Sequence, residues 1–107
     1  MSNAIYRGTT PDIRCNASFD LTGYSVYVAI GPKPLKSWVL VNPDDITVER
    51  NGNVTRIMFR LTQEQTLACK AGKAFLQIRA VKDGNAIASD MVSIEIADVI
   101  EGGVING

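Results

Sequence analysis

Apolar and polar residues alternate with a period of two through most of this chain, the spacing of strands that bury one face. Ile13, Cys15, Ala17 and Phe19 alternate with Asp12, Arg14, Asn16 and Ser18. After a turn at Leu21-Thr22-Gly23, the inward row resumes as Tyr24, Val26, Val28 and Ile30, opposed by Ser25, Tyr27 and Ala29. Gly31-Pro32-Lys33-Pro34 ends that strand, because prolines have no amide to give a ladder. Residues 36–41, carrying Trp38, form a shorter edge strand, and Asn42-Pro43-Asp44-Asp45 a turn. Over residues 54–61 the inward set is Thr55, Ile57, Phe59 and Leu61, against Val54, Arg56, Met58 and Arg60. Leu76, Ile78 and Ala80, then Val92, Ile94 and Ile96, supply the last two rows.

Two dipeptides set the connections. Asn51-Gly52 separates residues 46–50 from 54–61, and Asp83-Gly84 separates 74–81 from 87–96. Both pairs favour positive φ, so each predicts a tight type I′ hairpin. Between these hairpins Thr62-Gln63-Glu64-Gln65 spells a capping box, in which Thr62 and Gln65 satisfy each other's amides. It predicts a short helix of about two turns ending at Cys69, with Gly72 available to stop it. About seven strands joined by close turns predict an all-β, antiparallel, immunoglobulin-like sandwich spanning residues 1–107 as one domain. The helix takes the place of the crossover between two late strands. A small barrel has the same periodicity and stays open as the alternative.

Composition narrows the chemistry. The 107 residues include eleven basic and eleven acidic side chains and no histidine. A neutral chain without basic runs lacks the electrostatic footprint of a nucleic-acid binder. No apolar run reaches the roughly 20 residues that span a bilayer. The first residues lack the apolar segment of a signal peptide, and Ser2-Asn3-Ala4 has the composition of an expression-vector remnant, although Met1 before it equally fits a native start; these residues carry no functional weight. Cys15 and Cys69 are therefore expected as two reduced, buried thiols, Cys15 on the apolar face of its strand. Without histidine, the commonest general base and metal ligand are both absent, and no Ser-His-Asp or Cys-His site can form within the chain.

The remaining candidates have plainer explanations. Asp44 and Asp45 sit where turn aspartates normally bond to local backbone, and no spaced series of oxygen ligands resembles a calcium loop. Asn16-Ala17-Ser18 and Asn53-Val54-Thr55 match the glycosylation sequon but fall within a strand and at a hairpin edge. Trp38, Tyr24 and Tyr27 have the chemistry of a sugar-stacking platform, although Tyr24 falls in the core row and Trp38 at an edge. Tyr27 faces outward, which suits an interface. Arg56 and Arg60 alternate on an outer face, within reach of Glu49, and read as a solvated surface. These residues give no catalytic, cofactor or metal site.

Several short segments taken together carry a resemblance. They are Ile5-Tyr6-Arg7-Gly8-Thr9-Thr10-Pro11, Leu61-Thr62-Gln63-Glu64-Gln65-Thr66-Leu67, Leu76-Gln77-Ile78-Arg79, Asp83-Gly84, Ala88-Ser89 and Val99-Ile100-Glu101-Gly102-Gly103-Val104-Ile105. Their order resembles small structural proteins of tailed phages and prophages of Gram-positive bacteria. It is also similar to the N-terminal β-sandwich of phage baseplate upper proteins. That resemblance implies a virion component made in the bacterial cytoplasm, with no catalytic residues to carry over. Fuller baseplate members continue into helical and receptor-linked regions, whereas this sequence stops at Gly107, so the implied role is a tail or baseplate accessory.

An assembly role has a physical basis in the apolar residues at both ends. Ile5 and Tyr6 with Arg7, Val104 and Ile105, and the outward Tyr27 with Trp38 form the candidate interface set. Terminal segments of this kind can add to a neighbour's sheet edge, or else complete the chain's own sheets. The expected partners are other tail or baseplate proteins and further copies of the chain, with neither nucleic acid nor membrane. A carbohydrate-binding sandwich is the second reading, and a hydrolase using paired carboxylates a third.

Overall fold

The structure, a computed structural model, describes residues 4–107. Ser2 and Asn3, set aside above as vector-like, lie outside the described residues together with Met1. The described residues contain nine strands: β1 (Ala4–Tyr6), β2 (Asp12–Ala17), β3 (Ser25–Gly31), β4 (Val39–Val41), β5 (Ile46–Asn51), β6 (Val54–Arg60), β7 (Gly72–Lys82), β8 (Asn85–Ala88) and β9 (Val92–Ala97). A 3-10 turn at Pro43–Asp45 precedes β5, and one helix, α1 (Gln63–Ala68), joins β6 to β7.

The strands form two sheets. The smaller has the order β2-β6-β5, and the larger β1-β9-β7-β3-β4 with β8 also paired to β7. All pairings are antiparallel except β1 with β9, which is parallel. In chain order, β2, β6 and β5 take the positions of immunoglobulin strands B, E and D, while β3, β7 and β9 take those of C, F and G. α1 crosses from one sheet to the other, as the expected crossover does.

The alternation places the core between the sheets. Val26, Val28 and Ile30 from β3, Leu76, Ile78 and Ala80 from β7, and Val39 and Val41 from β4 are buried on the inner face of the larger sheet. Ile57 and Phe59 of β6, followed by Leu61, are buried in the same cluster from the smaller sheet. Ile13, Cys15 and Ala17 of β2 pack against the cluster while remaining partly accessible. Fully burying an aliphatic side chain contributes about 1.5–3 kcal/mol, so these rows supply most of the fold's driving force. Thr55 is the polar exception within its row: its hydroxyl donates to the Phe19 carbonyl at 2.6 Å and accepts from Arg50 at 2.8 Å.

The capping box forms as expected. The Gln65 amide donates to Thr62 Oγ1 at 3.1 Å, and the Thr62 amide donates to Gln65 Oε1 at 2.8 Å. Thr66 adds a tether by donating to the Thr9 carbonyl at 2.9 Å. The helix ends differently from expectation. Cys69 turns extended with φ −78° and ψ 147°, so no glycine stop is used and Gly72 instead opens β7.

Further differences have local causes. Nine strands replace about seven, because residues 4–6 form β1 and the segment 87–96 is split into β8 and β9. The split lies at Ser89: its hydroxyl accepts the Ile78 amide at 2.9 Å, standing in for a ladder carbonyl, while its own amide donates to the Ile78 carbonyl at 2.8 Å. Val92 and Phe19, both expected inward, are 51% and 40% exposed: β1 pairs with β9 only from Glu95 to Ala97 and leaves the edge at Val92 open, and Phe19 lies beyond the end of β2. The first hairpin also differs in turn type. Asn51 pairs with Val54, so Gly52 and Asn53 are the central residues, and of these two only Gly52 has positive φ, +62°. That is the II′ pattern, with glycine at the first central position. At the second hairpin Lys82 pairs with Asn85, and Asp83 (φ 48°) and Gly84 (φ 84°) give the expected I′ pattern.

A side chain at Gly52 or Gly84 would meet no atom within 4 Å. The cost of a substitution there is therefore backbone strain alone. Gly52→Val and Gly84→Val should each lower stability by about 1 kcal/mol or more. Urea titrations check this, and unchanged midpoints in both variants would refute the turn assignments.

Candidate functional site

The candidate interface residues are distributed over several surfaces. Ile5 is taken into the chain's own core at 7% exposure, packed as part of β1 beside Ile96, so it offers no surface to a partner. Tyr6, its neighbour, is 55% exposed on the outer face. Arg7 is spent within the chain: its guanidinium donates to Asp98 Oδ1 at 2.9 Å and to the Leu67 carbonyl at 3.0 Å, tying β1, α1 and the end of β9 together. Tyr27 lies on the outer face of the larger sheet, directly across from Arg79. Tyr6 lies near the Gly72 end of β7, seven residues from Arg79, about 23 Å along the strand at ~3.3 Å per residue. The two outward tyrosines thus belong to separate patches.

The three aromatics suggested as a sugar platform are not brought together either. Tyr24 shares the inward parity of Val26, and the Lys82 ammonium sits 5.5 Å from its ring centroid. Trp38 packs partly buried against the core at the β4 edge, beside Glu64, Gln65 and Ala68 of the helix. With Tyr27 on the opposite face, the three rings share no surface. Among the described residues, no three acidic or cysteine side chains cluster closely enough to hold a metal ion. Among the same residues, no helix is long and apolar enough to cross a membrane. Cys15 and Cys69 are free thiols, each pushed up in pKa by burial.

The structure adds one surface feature that the sequence pattern does not reveal and gives the geometry of another that it does. The first is a concavity of about 340 Å³ between the outer face of the larger sheet and the β3–β4 connection, which folds back over it. Gly31 permits that fold, since a Cβ there would collide with the Lys36 carbonyl oxygen. The connection closes in a turn in which the Lys36 amide donates to the Lys33 carbonyl at 3.2 Å. Pro34 takes the second position and Leu35 the third, where a type II turn requires positive φ. Leu35 has φ 66° and a fully exposed side chain (108%). A non-glycine residue in this region costs about 1–2 kcal/mol, so the turn holds an apolar side chain in water at the expense of strain.

The second feature is the segment after β9. The Val99 amide donates to Asp98 Oδ1 at 2.9 Å, next to the Arg7 contact. Further on, the Gln63 side-chain amide clasps the Ile105 peptide, accepting its N–H at 2.8 Å and donating to its carbonyl at 2.9 Å. Both ends of residues 98–105 are thereby fastened, and Ile100 stands fully exposed (107%) between them. Val104 and Ile105 are 43% and 63% exposed.

No protein-family model matches the chain, and no curated protein matches it.

Two predictions follow from the local geometry. Leu35→Gly removes the strained conformation at the cost of glycine's extra chain entropy, about 0.5–1 kcal/mol. The variant should be as stable as the parent or up to about 1 kcal/mol more stable in urea titrations, and a clear loss would show that Leu35 makes a packing contact. For pH, Asp98 is held below the usual carboxylate range by the Val99 amide and then Arg7, and Asp12 by its bidentate bond to Arg60. A lowered folded-state value means the stabilisation is present above the unfolded value and lost as pH falls through the folded one. Thermal melts should decline from about pH 4 downward, and Asp98→Asn should flatten part of that decline.

Proposed function

We propose that this chain is a non-enzymatic structural protein of a tailed phage or prophage, a tail or baseplate module working by protein–protein contact within the virion. The ordered motifs described above resemble such proteins, and a sandwich whose interior is filled by aliphatic rows leaves recognition to its surface. The observation that carries the reading is the fastened 98–105 segment, which holds Ile100, Val104 and Ile105 in water outside both sheets. Large apolar side chains displayed together by a tethered segment are a common mark of a contact surface. Its partners are other tail or baseplate proteins, with further copies of the chain as a second class.

The purified chain should bind a tail or baseplate protein encoded beside it. Deleting residues 104–107 should weaken that binding at least tenfold while leaving the domain folded, because the buried rows end at Ile96. Calorimetric titration and thermal melts of both forms check this. Unfolding on truncation would make the tail part of the fold and end the claim for that surface. Saturable binding to an oligosaccharide with no protein partner would instead favour a carbohydrate-binding module.

A further inference from the structure

We propose that the concavity beneath the Lys33–Lys36 turn receives the Ile100-Glu101 tip of a second copy of this chain, giving a head-to-tail contact. This rests on reading the chain as an assembly module and names one of its partners.

The two surfaces are complementary in both charge and polarity. The concavity is lined by Lys33, Lys36 and Arg79 and by no carboxylate, although the whole chain carries equal numbers of acids and bases. None of these three cations has an acidic partner among the described residues, whose two ion pairs are Arg7–Asp98 and Arg60–Asp12. Its apolar part comes from Phe75, from Met91, which is 43% exposed, and from the fully exposed Leu35. The tip offers the converse: Ile100, fully exposed, followed by Glu101, whose carboxylate bonds only to the Gly103 amide at 3.2 Å. Leu35 and Ile100 are the two most exposed apolar side chains among the described residues. Joining them removes both from water and gives Glu101 a cationic surrounding.

The geometry of the tip favours this use. Because Asp98 and Ile105 are both fastened to the rest of the chain, the tip is partly ordered before binding, which reduces the entropy lost on association. Donor and acceptor surfaces are different parts of the molecule, so the contact is heterologous and extends into a ring or a filament rather than closing as a two-fold dimer. A tip of this size buries less than the roughly 1,200 Å² of a stable interface. A single contact is accordingly weak, and becomes persistent only when many copies are held in an array.

Sedimentation equilibrium of the full chain over a range of concentrations tests the proposal. The mean mass should rise reversibly with concentration. Ile100→Asp, which spoils the tip, and Lys36→Glu/Arg79→Glu, which spoils the concavity, should each weaken self-association at least tenfold while keeping the parent's circular dichroism and melting temperature. Mixing the two variants should restore pairs but nothing larger, since one supplies an intact concavity and the other an intact tip. Glu101→Lys should fail to self-associate yet bind the Lys36→Glu/Arg79→Glu variant. A parent chain that stays monomeric up to about 1 mM, at the weak end of useful affinity, overturns the proposal. Self-association unaffected by either variant, or no restoration on mixing, does the same. If the chain is monomeric but still binds a neighbouring tail protein through residues 98–107, this proposal fails and the assembly reading stands.

Discussion

The eleven-residue β7 has strand partners on both edges, and the larger sheet depends on that pairing. One edge is covered by β3 over the full seven residues of that strand. The other is shared: β9 covers Gly72 to Leu76, and β8 covers Arg79 to Lys82. β1 and β4 reach the sheet only through β9 and β3. The same strand turns Ala74, Leu76, Ile78 and Ala80 inward, so its ladder and its packing are inseparable. A register slip of one residue would send Lys73, Phe75, Gln77 and Arg79 into the core and expose the aliphatic row.

Polar tethers then fix how the loops leave this frame. Thr66 binds the Thr9 carbonyl, Thr55 binds the Phe19 carbonyl, and Arg7 binds both Asp98 and the Leu67 carbonyl. The first two hydroxyls are buried, and a buried polar group left without its partner costs about 1–3 kcal/mol. These bonds hold α1 and the neighbouring loops against the sandwich. By contrast, the Lys33–Lys36 turn and residues 98–105 touch the frame at few points and present their apolar side chains outward. Folding and display are thereby assigned to different residues.

Much of the frame is legible in the sequence because alternation, tight-turn dipeptides and the capping box are local signals. The inward rows from Tyr24 to Ile30 and from Thr55 to Leu61, the Asp83-Gly84 turn and the Thr62–Gln65 cap all follow from spacing of a few residues. Non-local features are not legible in this way. The parallel pairing of β1 with β9 joins opposite ends of the chain, and no window of residues 4–6 encodes it. The break at Ser89 depends on a hydroxyl meeting the Ile78 amide across the ladder, and the exposure of Val92 depends on how far along β9 the β1 pairing reaches. For the surface, Tyr27 and the apolar tail were visible as outward residues. The concavity was not, since it arises from the fold-back over Gly31. One signal was present: Pro34-Leu35 between two lysines marks a turn whose third position favours glycine, and leucine there points to strain.

The β7-centred frame carries the stability, while the turn at Lys33–Lys36 and residues 98–105 stand outside it as display elements. Residue-resolved amide hydrogen exchange on the dilute chain measures this directly. The inner amides of β7 and β3 should exchange only through global unfolding, and the amides of residues 99–104 and of Leu35 orders of magnitude faster. Protection of residues 99–104 as strong as that of β7 would contradict it, because the segment would then belong to the cooperative core.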